Sequence, residues 1–482
     1  MGDGMEFEII AKDALGRICR LETRHGRIET PTVLPVINPN IPFIAPEKMK
    51  DYGAQALITN AYIIYRTRRN EAIEKGVHGI LGTDMPVMTD SGSYQLMQYG
   101  DVEIGNREIV EFQQEIGSDF FVPLDIPTPP DADYETARRD LEETIKREKE
   151  ARKLKRDSFL VLPIQGSTIY ELRRKSAEAA MEIGGDVYAI GAVVPLMESY
   201  RFKDLAKIVL EVKSVIQIDP IHFFGCGHPM LLAFAVAMGC DLFDSAAYAL
   251  YAKDDRYLTV YGTKKLSELQ YFPCDCRVCR RRSPEELREM EKNDREVLLA
   301  EHNLYATFEE IRVIKEAIRE NTLFELVESR IRAHPNLISA WRLIKDYSEL
   351  FERYDPRIKT RFFYCGVETL LRPAVKRHAE AVKNVEFEKD KIVISTDFGI
   401  LADAYLRPVF GVVPIELLES YPCGHAEMPE DEVIEKEALE IAIENLRDFV
   451  RARRDKKFVI HVTGRWKEFL ERMPEGCEYV LH

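Results

Sequence analysis

From residue 31 to about residue 247 the chain repeats one rhythm: a short apolar run, a polar or glycine-bearing loop, then a stretch with apolar residues at helical spacing. Eight apolar runs take part: TVLPVI (32–37), ALITNAY (56–62), PVMTD (86–90), FFVPLD (120–125), FLVLPIQ (159–165), VYAIGAVV (187–194), IHFFGC (221–226) and LFDSAA (242–247). Between them, NREIVEFQQEIG, the charged segment 134–156, TIYELRRKSAEAAMEIGG and FKDLAKIVLEVKSVI predict amphipathic helices. Runs that are apolar throughout and alternate with helices belong to parallel strands covered on both faces. Eight is the number that closes a barrel, so the expected fold class is α/β, a (β/α)8 TIM barrel. A doubly wound open sheet is the alternative, and the lack of GxGxxG after the first run counts against its dinucleotide-binding form.

A barrel of this kind does its chemistry on the rim formed by the C-terminal ends of its strands. The polar or backbone-exposing residues at those ends are Asp90, Asp125, Gln165, Gly191 and Asp244. Carboxylates at the ends of apolar runs are costly to enclose unless they are paired or used. His222 and His228 flank FFGCG at the seventh run and are read as packing or loop residues without a role.

Past residue 250 the rhythm stops. A cysteine cluster is followed by a long helical pattern that Ser283 opens as N-cap, with Pro284 at the first position and Glu286 at the third. KIVISTDF and KKFVIHVTG read as strands among helices near the end. The expected organisation is a barrel with a metal subdomain over 1–335, a helical linker over 336–360, and a small α+β domain over 361–482.

Cys274, Cys276 and Cys279 have C-x-C-x2-C spacing, with His302 further on. Three thiolates and one imidazole make a closed tetrahedral set, the structural type of Zn²⁺ site over 274–302. Arg277, Arg280, Arg281 and Arg282 would then form a cationic rim suited to phosphates. The other six cysteines are scattered and read as reduced, buried thiols.

Length and charge add bounds. At 482 residues the chain exceeds one ordinary core. No run of about 18 apolar residues predicts a membrane span. The start lacks the basic and apolar regions of a secretory leader, so a cytoplasmic protein is expected. A net charge of −15 argues against a protein that merely coats nucleic acid, but two segments are locally basic. Residues 146–156 hold seven basic side chains against two acidic, and residues 447–457 six against two.

Several of these segments carry a family resemblance. TDSGSYQ (89–95), LDIP (124–127), PIQGS (163–167), AIGAVVP (189–195) and LFDSAAYAL (242–250), with the cysteine spacing and distal histidine, resemble in order the blocks of tRNA-guanine transglycosylases. The resemblance covers roughly residues 5–335. AIGAVVP, RFFYCG (361–366) and FGVVPIELLESYP (410–422) are similar to the archaeal branch.

That resemblance implies exchange of guanine at position 15 of the tRNA D-arm for 7-cyano-7-deazaguanine (preQ0), with tRNA, preQ0 and guanine as partners, one structural Zn²⁺ per chain, and a homodimer. It implies Asp244 as nucleophile and Asp90 as general acid/base; the reverse assignment stays open on sequence. It also implies a base pocket in which Asp125 accepts from the donor edge, Gln165 and the backbone around Gly191 and Ala192 address the carbonyl edge, Tyr94 stacks on the ring and Ser91 helps seat it. Archaeal members commonly end in a PUA domain. Residues 361–482 read as too short to hold one complete, so the PUA unit is either supplied by a separate protein or absent, and the basic 447–457 stretch is expected to contact tRNA in its place. The alternatives are a non-catalytic tRNA-binding paralogue, which should lack one of the aspartates, and an archaeosine-synthase-like protein, which should carry a further motif.

Overall fold

The computed structural model describes residues 6–93 and 104–482. Three antiparallel strands come first, β1 (Phe7–Asp13), β2 (Gly16–Thr23) and β3 (Gly26–Thr30). The barrel follows with β4 (Thr32–Ile37), β5 (Leu57–Asn60), β6 (Val87–Asp90), β7 (Phe120–Phe121), β8 (Phe159–Ile164), β9 (Val187–Ile190), β10 (Ile221–Phe223) and β11 (Leu242–Ser245). Each pairs in parallel with its sequence neighbour, and β11 pairs with β4 to close the ring. All eight apolar runs are therefore barrel strands, and the open-sheet alternative is excluded.

Because strand side chains alternate between faces, every second residue enters the barrel. Leu34, Ile58, Met88, Phe120, Val161, Val187, Ala189 and Leu242 form one buried interior cluster. Leu21 of β2 and Ile28 of β3 belong to the same cluster, so the antiparallel sheet closes the N-terminal end of the barrel. Continuing the inward parity along each strand brings Asn60, Asp90, Gln165, Gly191 and Asp244 to the opposite, C-terminal end.

The closed end holds its own polar group. Buried Asp119, just before β7, accepts the Val87 N–H at 2.8 Å and contacts His25 Nδ1 at 2.9 Å and His78 Nε2 at 3.1 Å. The two imidazoles stack with centroids 3.6 Å apart, and one nitrogen of each lies with an Asp119 oxygen in a group whose atoms are all within 4.8 Å of one another. Burial by itself would raise the Asp119 carboxyl, but hydrogen bonds from His78, Val87 and His25 outweigh it and hold it below the usual range. A group lowered on folding stabilises above its unfolded pKa of about 3.9 and loses that contribution as pH falls through the folded value. Asp119→Asn is expected to cost about 1–3 kcal/mol at pH 7 in urea unfolding, with the gap to wild type closing below pH ~4. An unchanged midpoint at pH 7 would remove this account.

Contacts divide the chain into two compact units, Met1–Arg319 with Arg330–Leu343, and Glu320–Ser329 with Ile344–His482. The second holds a five-stranded sheet ordered Gly411–Pro414, Ala404–Arg407, Lys391–Ser395, Lys457–Val462 and Glu478–Leu481. The helix Lys436–Arg451 packs its apolar stripe (Leu439, Ala442, Ile443, Leu446, Phe449) into the core beneath that sheet. Among the described residues no helix is long and apolar enough to cross a membrane.

Both basic segments are less available than their composition suggests. In the first, Lys146 and Arg147 pair with Glu143, Lys155 pairs with Asp186 at 3.2 Å, and Glu148 is wholly buried. In the second, Arg453 is buried: its guanidinium donates to the carbonyls of Val382, Lys383, Val385 and Phe449 and lies over the Phe449 ring. It ties helix to helix, which corrects its reading as a surface cation.

Candidate active site and metal centre

Asp90 ends β6 directly beside Asn60 in the β5–β6 register, and Asn60 Nδ2 donates to Asp90 Oδ2 at 3.2 Å. Asn60 also caps the helix Ala61–Leu81 by accepting the Ile63 N–H at 2.9 Å, so the amide is fixed at both ends. Burial raises the Asp90 carboxyl most and the neighbouring Asp125 charge next; the Gly92 N–H opposes them, Asp244 adds to them, and the Asn60 bond again opposes. The balance pushes Asp90 up to about 7. Asp90 closes β6 and Asp244 stands near the end of β11, and the charges of Asp125 and Asp244 both act on Asp90.

Asp244, two residues beyond Leu242 on the inward face of β11, accepts two hydrogen bonds on Oδ1. One comes from His222 Nε2 at 2.9 Å and the other from the Gly225 N–H at 3.0 Å. His222 therefore does more than pack, since it bonds Asp244: the middle residue of β10 faces inward, as does every second residue of a barrel strand.

Asp125 lies in the loop after β7, where Gln165 Nε2 donates to its Oδ2 at 2.5 Å and the Ser93 hydroxyl accepts its N–H at 3.0 Å. Burial raises the Asp125 carboxyl, with Ser93 and Gln165 opposing. Ser91 is buried, its hydroxyl 3.1 Å from that of Ser93, which supports Asp125. Gly191 gives space: a Cβ there would stand 2.5 Å from Gln165 Nε2. Its N–H donates to Ile164 O at 3.2 Å and its carbonyl accepts from Arg173 at 2.9 Å, so within the backbone around Gly191 and Ala192 the Gly191 N–H is already engaged. Ala192 follows in the left-handed region at φ 56° with its N–H unbonded among the described residues. Gln165 Oε1 is buried without a partner among the described residues. Tyr94 lies outside the described residues.

Arg173, wholly buried, binds the carbonyls of Ile164, Ser167 and Gly191 and so clamps the ends of β8 and β9 together. Nothing in TIYELRRKSAEAAMEIGG distinguishes it from Arg174 except helical phase. Asn60, Ser93 and His222 also escaped the sequence reading. For Asn60 and His222 the period-two alternation was the signal available.

Cys274, Cys276, Cys279 and His302 converge, their donor atoms all within 4.8 Å of one another. His302 Nδ1 lies 3.6 Å from Cys276 Sγ and 3.5 Å from Cys279 Sγ. A tetrahedral centre with bonds of about 2.3 Å to sulfur and about 2.0–2.1 Å to nitrogen separates sulfur from nitrogen by about 3.6 Å, so this donor set fits one. The other imidazole nitrogen, Nε2, lies 3.0 Å from the Leu258 carbonyl, which places its proton there and leaves Nδ1 as the ligand atom. The ring stacks on Tyr257 at 3.5 Å. Next along the helix Lys292–Glu320, Asn303 accepts the Leu258 N–H and donates to the carbonyls of Tyr248 and Arg256. The expected Ser283–Glu286 capping box is present.

The family model described as "Queuine tRNA-ribosyltransferase" matches residues 13–336. The chain is 65% identical to a tRNA-guanine(15) transglycosylase of Archaeoglobus fulgidus over 474 residues, 98% of each chain. It is 49% identical to that of Methanosarcina barkeri over 91% of this chain and 90% of the relative. With that of Methanocaldococcus jannaschii it shares 47% identity over 93% of this chain and 72% of the relative. The barrel with its strand-end carboxylates, the Cys3His cluster and these matches agree: the chain belongs to the archaeal tRNA-guanine(15) transglycosylase family of enzymes.

Proposed function

We propose that this chain replaces guanine at position 15 of the tRNA D-arm with preQ0 by double displacement through a covalent aspartyl–tRNA intermediate. The observation that carries the proposal is the convergence of Asp90 and Asp244 from the third and eighth barrel strands on one mouth, with opposite surroundings. Asp244 is an oriented carboxylate with two donors on one oxygen. Asp90, brought to about 7, can both give and take a proton near neutrality. Remaking a glycosidic bond at the same carbon with retained configuration needs these two services: a nucleophile for C1′, and a proton carrier for the leaving and arriving bases. The paired Asp125 and Gln165 then face the base, Asp125 accepting from its N1–H and exocyclic amine, with the Ala192 N–H donating to its carbonyl oxygen.

All three aspartates share the mouth, which disfavours the non-catalytic reading. The Cys3His set is proposed to hold zinc as a structural ion, its four protein ligands leaving no position for substrate. Arg451 and Arg454 of the second unit, and Arg281 beside the metal loop, are exposed cations offered to the tRNA backbone.

Incorporation of labelled guanine into an unmodified tRNA transcript tests the exchange; a transcript with adenine at position 15 should take up none, and equal labelling of both would refute the site assignment. The two half-reactions should respond to pH in opposite directions. Adduct formation uses protonated Asp90 and should fall as pH rises through about 7, while displacement by the incoming base uses the carboxylate and should rise. Single-turnover rates that move together, or not at all, would remove Asp90 from this role.

A further inference from the structure

Two hydrogen bonds fall on one oxygen of Asp244, from His222 Nε2 and the Gly225 N–H, and none falls on Oδ2 among the described residues. His222 is fully buried, and its other nitrogen, Nδ1, has no partner among the described residues. That pairing fixes the tautomer. A proton on Nδ1 would be a buried donor without an acceptor, and Nε2 would then face the carboxylate lone pair to lone pair. The proton therefore sits on Nε2, and His222 donates.

The backbone holds both donors in place. His222 is registered between Ala189 of β9 and Leu242 of β11, and its ring meets Phe224 edge-on with centroids 4.6 Å apart. Gly225 turns its N–H toward the carboxylate at φ 70°, where a Cβ would come within 2.4 Å of Val194 Cγ2, so a side chain there would be strained and would push Val194 aside.

We propose that His222 and the Gly225 N–H form a two-donor clamp that engages Asp244 Oδ1 and reserves Oδ2 as the oxygen that attacks C1′, which makes His222 a positioning residue for the nucleophile. The inference rests on the reading of Asp244 as nucleophile. A free carboxylate rotates about its last bond and exchanges its oxygens; the clamp stops that rotation and keeps one lone pair aimed at the mouth. In the first step Oδ2 bonds to C1′ as the C1′–base bond breaks and its electron pair leaves with guanine, which takes a proton from Asp90. Oδ1 is then the carbonyl oxygen of the resulting ester and can keep both hydrogen bonds, so the clamp serves the free and the covalent states without rearranging. When the incoming base attacks C1′, the electron pair returns to Oδ2 and the proton to Asp90.

His222→Leu, which removes the donor, and His222→Gln, whose Nε2–H reaches a similar point, separate positioning from packing. Adduct formation with tRNA would be followed in single turnovers on denaturing gels, alongside steady-state guanine exchange, thermal melting, and Asp244→Asn as reference. His222→Leu is expected to slow adduct formation by on the order of 10- to 100-fold while KM for tRNA and guanine stays within about twofold, and His222→Gln to recover most of the rate. If the leucine variant does not fold, His222→Asn, polar but too short to reach Oδ1, takes its place against glutamine. Wild-type rates in His222→Leu, or equally slow glutamine and leucine variants with unchanged melting, would overturn the clamp while Asp244→Asn still forms no adduct. Adduct formation by Asp244→Asn would instead overturn the nucleophile reading on which the clamp depends.

Discussion

Asparagine in place of Asp244 is expected to leave a folded protein that forms no covalent adduct with tRNA and whose guanine exchange falls by on the order of 10⁴-fold or more. The substitution changes almost nothing but the reacting atom. The donors from His222 and Gly225 both demand an acceptor, so the asparagine oxygen must turn toward them and take the place of Oδ1. The amide nitrogen then occupies the position of Oδ2, where it has no nucleophilic lone pair to offer C1′. Melting temperature should stay near that of wild type, because hydrogen bonding around the side chain is preserved. Asp90→Asn is the necessary companion: removal of a proton carrier should cost about 10²- to 10⁴-fold in exchange and leave an attacking carboxylate in place. If Asp90→Asn abolishes the adduct and Asp244→Asn retains it, the two roles are exchanged.

The placement of these carboxylates was legible in the chain because barrel geometry imposes a strict alternation. Once TVLPVI through LFDSAA were read as eight strands, the inward parity carried Asp90, Gln165, Gly191 and Asp244 to the ring of strand ends, and they stand there. The same alternation pointed to Asn60 and His222, but each looked ordinary: an amide next to a helix start, and a histidine in an apolar run. Their significance lies in what they touch, which is a residue 30 positions away for Asn60 and 22 for His222. Arg173 was illegible for a different reason. Its partners are backbone carbonyls, which leave no trace in side-chain chemistry. The antiparallel sheet at the barrel floor is written in GRICRLETRHGRIET, which alternates in the manner of a hairpin, but its strands precede the β/α rhythm and carry more charge than the barrel runs. In the second unit, Ala404–Arg407, Gly411–Pro414 and Glu478–Leu481 are short strands whose pairing depends on partners distant in sequence.

Removal of the metal is the second large effect expected, and its reach follows from what the Cys3His set is attached to. Three sulfurs and an imidazole within 4.8 Å of one another form the donor set of a tetrahedral cation site. His302 sits on a 29-residue helix whose next residue, Asn303, is bonded to Tyr248, Arg256 and Leu258, the segment that follows β11 and Asp244. Structural zinc sites in small domains are worth on the order of 10 kcal/mol in apparent binding. Inside a larger unit only part of that reaches global stability, but several kcal/mol lost would lower Tm by on the order of 10 °C. Cys276→Ala, or exhaustive treatment with a strong chelator, should therefore give protein with less than one zinc per chain by elemental analysis, a depressed Tm, and raised amide exchange across 248–303. Exchange activity should fall as a consequence, because the helix Ala247–Lys253 extends directly from the strand that carries Asp244. Since the proposed zinc has no open position for substrate, cobalt(II) should restore Tm and activity together; restored stability with persistently absent exchange would mean that the ion does more than hold the fold.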